Sequence, residues 1–198
     1  MKLMLSLILL SIQLLPAEKF DLEKIKKSIE TKGEEFRGLL THKLDGNKLF
    51  LVNESSENKG LGIGFLTVYL VDSNNEILST AKVEIEMKVR DHWLVDLDKD
   101  GNKEIVFVSY SIGSGHYANL FVYTVKGSKL IKRKMPSHII AGYGGHEKIE
   151  VKKGNLYLSY PLYNENDSNA NPTGGELELK FDAKKKLWKD RQGTYLKK

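Results

Sequence analysis

Apolar and polar positions alternate clearly in one stretch of this chain. Between Ala81 and Arg90, the apolar residues Val83, Ile85, Met87 and Val89 are each separated by a polar or charged neighbour, the pattern of a strand with one wet face. Before that region the period is different. Asp21 is a good helix N-cap, and Leu22, Ile25 and Ile29 follow at helical spacing until Gly33, which predicts one short helix within residues 18–35. After it the chain reads as strands at Phe36 to Lys43, Lys48 to Asn53, Phe65 to Val71, Ile77 to Val89 and Glu104 to Ser111. Further strands are expected at Ala118 to Val125, Lys129 to Lys134, Lys148 to Val151, Leu156 to Tyr163 and Glu176 to Asp182. Turn signals separate them: Asp45-Gly46-Asn47, Ser73-Asn74-Asn75, Lys126-Gly127-Ser128 and Lys153-Gly154-Asn155. Short strands joined by Gly and Asn turns imply an all-β fold with one short N-terminal helix, a single-domain antiparallel β-sandwich over residues 36–198.

The first 17 residues stand apart. Lys2 precedes an apolar run from Leu3 to Leu15, and Pro16 and Ala17 end it, the layout of a secretory signal peptide over residues 1–17. The run is too short for a comfortable membrane span, which needs about 20 apolar residues, so no membrane span is expected in the mature protein. The expected location is periplasmic or secreted. Removing Lys2 with the leader takes the formal charge from +5 to +4, and the lysines are scattered along the chain, which argues against a nucleic-acid partner. The absence of cysteine excludes a disulfide scaffold, thiolate zinc sites and a cysteine nucleophile.

The sharpest local motif is Asp96-Leu97-Asp98-Lys99-Asp100-Gly101-Asn102-Lys103-Glu104. Oxygen ligands at alternate positions, a glycine for the tight turn and a carboxylate at position nine suit a hard cation such as Ca2+, with Asp96, Asp98, Asp100 and Glu104 as candidate metal ligands. Position twelve is Phe107 and the flanks are strands, so the loop is not an EF-hand. Equally, Asp residues suit a polar hairpin loop that binds no metal. Other patterns are weaker. His146-Glu147-Lys148-Ile149-Glu150 lacks the second histidine of a zinc-protease helix, Gly60-x-Gly62-x-Gly64 precedes a strand and no helix, and Gly113-Ser114-Gly115 lacks the spacing of a nucleophile elbow.

After the apolar strand comes Ser111-Ile112-Gly113-Ser114-Gly115-His116-Tyr117-Ala118-Asn119. Two glycines, a small hydroxyl and an aromatic can form a narrow projecting tip, or a plain hairpin whose tyrosine packs on the sheet. Three ordered blocks bear on the choice: VDLDKDGNKEIVFVSYSIGSGHYANLFVYTV, GYGGHEKIEV and YPLYNENDSNANPTGGELELKF. Together, over roughly Trp93 to Phe181, they resemble the family of periplasmic inhibitors of invertebrate-type lysozyme. Ser114-Gly115-His116-Tyr117 matches that family's Ser-Gly-x-Tyr motif, and Asn169-Ala170-Asn171-Pro172-Thr173-Gly174-Gly175 matches a second signature. The resemblance implies a small exported β-sandwich without catalysis of its own, whose loop enters a lysozyme's active-site cleft. It implies Ser114, Gly115, His116 and Tyr117 as partner-binding residues, with the Ser114 and Tyr117 side chains making the contacts and Gly115 permitting close backbone approach.

Two other functions compete with that expectation. One is a calcium-stabilised exported scaffold or adhesion module, and the other is an enzyme acting on an envelope polymer, for which no nucleophile and base can be read from spacing. A homodimer is left open as a further assembly.

Overall fold

The computed structural model describes residues 20–31, 33, 38–44, 48–55 and 63–196. The expected leader at 1–17, the start of the first strand at Phe36, the Asp45-Gly46-Asn47 turn, and Gly60 and Gly62 lie outside them.

The helix α1 (Leu22–Glu30) begins where the pattern places it: the Asp21 carboxylate accepts the Lys24 N–H at 3.0 Å. Ile25 and Ile29, four residues apart, are buried against Leu49, Leu51, Tyr69 and Val71. These four belong to a sheet of β1 (Gly38–Leu44), β2 (Lys48–Ser55), β3 (Gly64–Val71) and β4 (Ile77–Ile85), paired antiparallel in chain order. The turn residue Asn75 has φ 68°, and its side chain accepts the Asp21 N–H at 2.8 Å, so the β3–β4 hairpin also anchors the helix start.

The second sheet contains β5 (Asp91–Val95), β6 (Glu104–Tyr110), β7 (Ala118–Lys126) and β8 (Lys129–Arg133), and the third β9 (Lys148–Lys152), β10 (Asn155–Pro161), β11 (Glu176–Asp182) and β12 (Leu187–Asp190). Every strand pair is antiparallel. The all-β expectation is therefore what the chain forms, with a third sheet added to the sandwich.

Strand β6 explains the stacking. All seven of its residues are buried. Ile105 and Phe107 join Tyr123 in a core shared with Phe50, Val52, Leu66, Val68 and Leu70 of the first sheet. Val106, Val108 and Tyr110 face the other way, into a core with Leu156, Leu158, Tyr160, Leu179 and Trp188 of the third. The middle sheet is thus covered on both faces, and each large apolar side chain buried there contributes about 1.5–3 kcal/mol.

The largest departures from the expected strands are three. The strand expected to run to Val89 stops at Ile85; beyond it the Val89 N–H donates to Glu54 Oε1 at 2.8 Å, and the chain crosses to the next sheet. The pattern also did not predict β5 or β12. Leu94 packs toward the first sheet while Trp93 and Val95 pack toward the third, which removes the one-sided alternation that marks a strand. The four-residue β12 is held by one large anchor, Trp188, whose Nε1–H donates to Pro136 O at 3.0 Å.

Candidate functional site

The β6–β7 connection, Ser111 to Tyr117, is closed at its base by two hydrogen bonds. Ser111 N–H donates to Tyr117 O at 2.9 Å, and Tyr117 N–H donates to Ser111 Oγ at 3.0 Å. On one flank Ile112 N–H donates to Glu86 Oε2 at 2.8 Å, so the β4–β5 crossover braces the loop. Opposite it, Gly115 O accepts the His146 N–H at 2.6 Å.

Within this frame Ser114 and His116 are exposed, Tyr117 is 47% exposed, and Gly115 is buried. The Tyr117 ring lies back across Gly115, where a Cβ would stand 2.6 Å from Cε2. Glycine is therefore needed at 115 to make room for the ring. Gly145, at φ 91°, is the reciprocal case: a Cβ there would lie inside the van der Waals surface of Gly115 O. Tyr117 also meets the Tyr143 ring at 5.9 Å between centroids, so the phenol is held on the surface in one orientation.

The segment 142–147 is fixed in turn by residues 160–175. Tyr163 N–H donates to Gly142 O at 2.8 Å, and its hydroxyl donates to Asn169 O at 3.0 Å. Leu162 N–H donates to Gly175 O and Gly174 N–H donates to Leu162 O, both at 2.8 Å. The Asp167 carboxylate accepts the Asn164 and Thr173 N–H groups at 2.7 Å each, which hold it below its ordinary value. The three sequence blocks thus meet at one end of the molecule.

Glu147 is the buried node of this end. Its side chain is fully enclosed, yet it accepts the Tyr143 hydroxyl, the Ala118 N–H at 3.0 Å and a contact from His138 Nε2 at 3.2 Å. Burial alone would raise its pKa, but the hydrogen bonds from His138, Tyr143 and the backbone outweigh it and hold the carboxyl below its usual range. The same arrangement raises the Tyr143 phenol, chiefly by burial and then by the Glu147 bond, while burial and Glu147 push Tyr160 up to about 12. Tyr160 OH donates to His138 O at 2.5 Å. In the sequence Glu147 stands out only within the incomplete zinc motif at His146 to Glu150. The usable signal was its spacing: Glu147 and the buried Ile149 lie two residues apart, so the acid falls at an inward position.

The acidic loop lies between β5 and β6. Carboxylate oxygens of Asp96, Asp98 and Glu104 lie within 4.8 Å of one another, a grouping that can bind a metal ion. Asp100 stands outside this group, and its carboxylate accepts the Asn102 N–H at 2.7 Å. Asp96 accepts the Asp100 and Gly101 N–H groups at 3.2 and 3.1 Å. Glu104 is buried; burial raises its pKa, while the Leu97 N–H at 2.8 Å and Arg133 pull it back. Arg133 Nη2 pairs with Asp98, and Nη1 stands 3.7 Å from Glu104 Oε1. A guanidinium from β8 therefore already supplies positive charge here. Beside it is a cavity of about 680 Å³ lined in part by Asp98, Asp100, Lys132, Arg133, Lys134 and Lys186, sharing no residue with the 111–117 loop.

No family model matches the chain, and no curated protein matches it in sequence. Among solved structures, it is similar to the periplasmic inhibitor of I-type lysozyme from Aeromonas hydrophila, at 19% identity over 48% of this chain and 85% of that one, with a TM-score of 0.43. It is likewise similar to Aeromonas hydrophila PliI in complex with Meretrix lusoria lysozyme, at 19% identity over 49% of this chain and 82% of that one, also with a TM-score of 0.43. Among the described residues no helix is long and apolar enough to cross a membrane.

Proposed function

We propose that this chain is an exported, non-catalytic binding module that inhibits a lysozyme of the invertebrate type by inserting the Ser114 to Tyr117 loop into the enzyme's cleft. The observation that carries the reading is the convergence at one end of the fold of the three blocks that resemble the inhibitor family, with the Ser114 hydroxyl and the Tyr117 phenol on the surface of a braced loop. A hydroxyl and a phenol suit catalytic carboxylates, which accept strong hydrogen bonds from such donors. An aromatic held in one orientation loses little entropy on binding and makes an effective anchor.

The test is a lysis assay. The mature protein should slow an invertebrate-type lysozyme, and Ser114→Ala with Tyr117→Ala should abolish inhibition while leaving the melting temperature near that of the parent. Each anchor is expected to contribute about 2 kcal/mol or more to binding. No inhibition of any lysozyme class at micromolar concentration would overturn the reading.

A second reading is favoured by the grouped oxygens of Asp96, Asp98 and Glu104: the loop holds Ca2+ and stiffens the hairpin leading toward the tip. An ion that binds only the native state must raise the melting temperature, so an identical midpoint in calcium and in chelator rejects it.

A further inference from the structure

His116 and His146 lie together at the tip. Their ring centroids are 6.1 Å apart with planes inclined by 57°, and the His146 N–H bond to Gly115 O ties the two loops together between them. Both residues have left-handed backbones, φ 42° and 58°, a conformation that costs energy for any residue with a Cβ and concentrates at ligand sites. The other three histidines are engaged elsewhere: His42 and His92 pack on each other, and His138 lies against Glu147, Tyr143 and Tyr160.

We infer that His116 and His146 form a two-imidazole site for a borderline transition-metal ion, Cu2+ or Zn2+, with its remaining coordination positions open to solvent. A metal–nitrogen bond of about 2.0–2.1 Å plus about 1.1 Å from nitrogen to ring centre lets two ligating imidazoles stand up to about 6.4 Å apart. The observed separation lies near the upper end of that span, so an ion between the rings would take their nitrogens from nearly opposite sides, the trans arrangement of a tetragonal Cu2+ site. His146 Nε2 lies 3.3 Å from Asn169 Oδ1, and in the Nε2–H tautomer this contact leaves the Nδ1 lone pair available to an ion. Such a carbonyl partner on the far nitrogen is the usual outer support of a metal-bound histidine. Asn169 is itself held through its carbonyl by the Tyr163 hydroxyl. The chain has no cysteine to compete for soft metals, and imidazole pairs bind Cu2+ more tightly than Zn2+. This inference stands whether or not the tip inhibits a lysozyme.

The experiment is titration of the full exported chain with CuCl2 and, separately, ZnCl2, followed calorimetrically, with no lysozyme present. One ion per chain is expected, Cu2+ tighter than Zn2+. His116→Asn and His146→Asn, chosen because Asn tolerates positive φ, should each weaken binding about tenfold or more, and Asn169→Ala by about tenfold. His92→Gln should leave the affinity unchanged. The electron paramagnetic resonance spectrum of the parent protein with one equivalent of Cu2+ should show two imidazole nitrogens, a readout that needs no variant. Absence of saturable binding, a spectrum with fewer than two imidazole nitrogens, or parental affinity in the double Asn variant would each overturn the site.

Discussion

The Glu147 carboxylate accepts the backbone N–H of Ala118 at 3.0 Å, so a fully enclosed acid holds the first residue of β7 directly after Tyr117. Because the same carboxylate gathers Tyr143 and His138, the surface position of the Tyr117 ring depends on a charge that never touches solvent.

Replacing that acid should be costly. Glu147→Gln leaves at least one buried donor without an acceptor and should destabilise the fold by about 1–3 kcal/mol. The folded-state pKa is lowered, so the stabilisation is complete above the ordinary carboxylate value of about 4.3 and disappears as pH falls through the lower folded value. Urea midpoints of parent and variant should differ clearly at pH 7 and draw together as the pH falls below the ordinary carboxylate range; a gap independent of pH would show that the charge is not what stabilises.

Two glycines separate steric overlap from backbone strain. Gly145→Ala meets Gly115 O as well as an unfavourable φ, whereas Gly113→Ala, at φ 137°, meets no atom within 4 Å. Gly113→Ala should cost about 1–3 kcal/mol from conformation alone, and Gly145→Ala more than that, with loss of whatever binding the tip performs. Equal urea midpoints for the two variants would contradict the close contact at Gly115.

Arg133→Met removes the cation beside Asp98 and leaves the buried Glu104 carboxylate with the Leu97 N–H but no neighbouring positive charge. The expected loss is about 3 kcal/mol. Burial raises the Glu104 pKa in the fold, so protonation relieves the penalty. The variant should recover stability as pH falls from the raised folded value toward the ordinary carboxylate range. Thermal melts across that interval, with calcium and with chelator, also report whether a divalent ion replaces the guanidinium.

His42 on β1 meets His92 on β5 with ring centroids 4.9 Å apart, at the junction of the first two sheets. Burial and then the charge of His92 lower its folded pKa, so neutral His42 contributes stability above about pH 6.5 that is lost as pH falls through the lowered folded value. His42→Phe should flatten the melting temperature between pH 8 and pH 5, and an unchanged slope would exclude this pair as the source.

Much of this arrangement was legible in the chain itself. Asp21 marks the helix start, the Asn and Gly turns mark the hairpins at Asn75, Gly127 and Gly154, and alternation marks the wet face of β4, because these features act between neighbours in sequence. The acidic loop and the Ser114 to Tyr117 loop were visible for the same reason: each is one continuous segment.

Folding alone decided the rest. That β6 is covered on both faces, that β5 is a strand, and that Glu147 joins residues 118, 138 and 143 are facts about surfaces meeting across long sequence separations. Local periodicity records which side of a strand is apolar and carries no information on how many sheets will cover it. The pairing of His116 with His146 belongs to the same class: two separate turns approach closely because Gly145 and Gly115 lack side chains, and only the packed molecule brings them together.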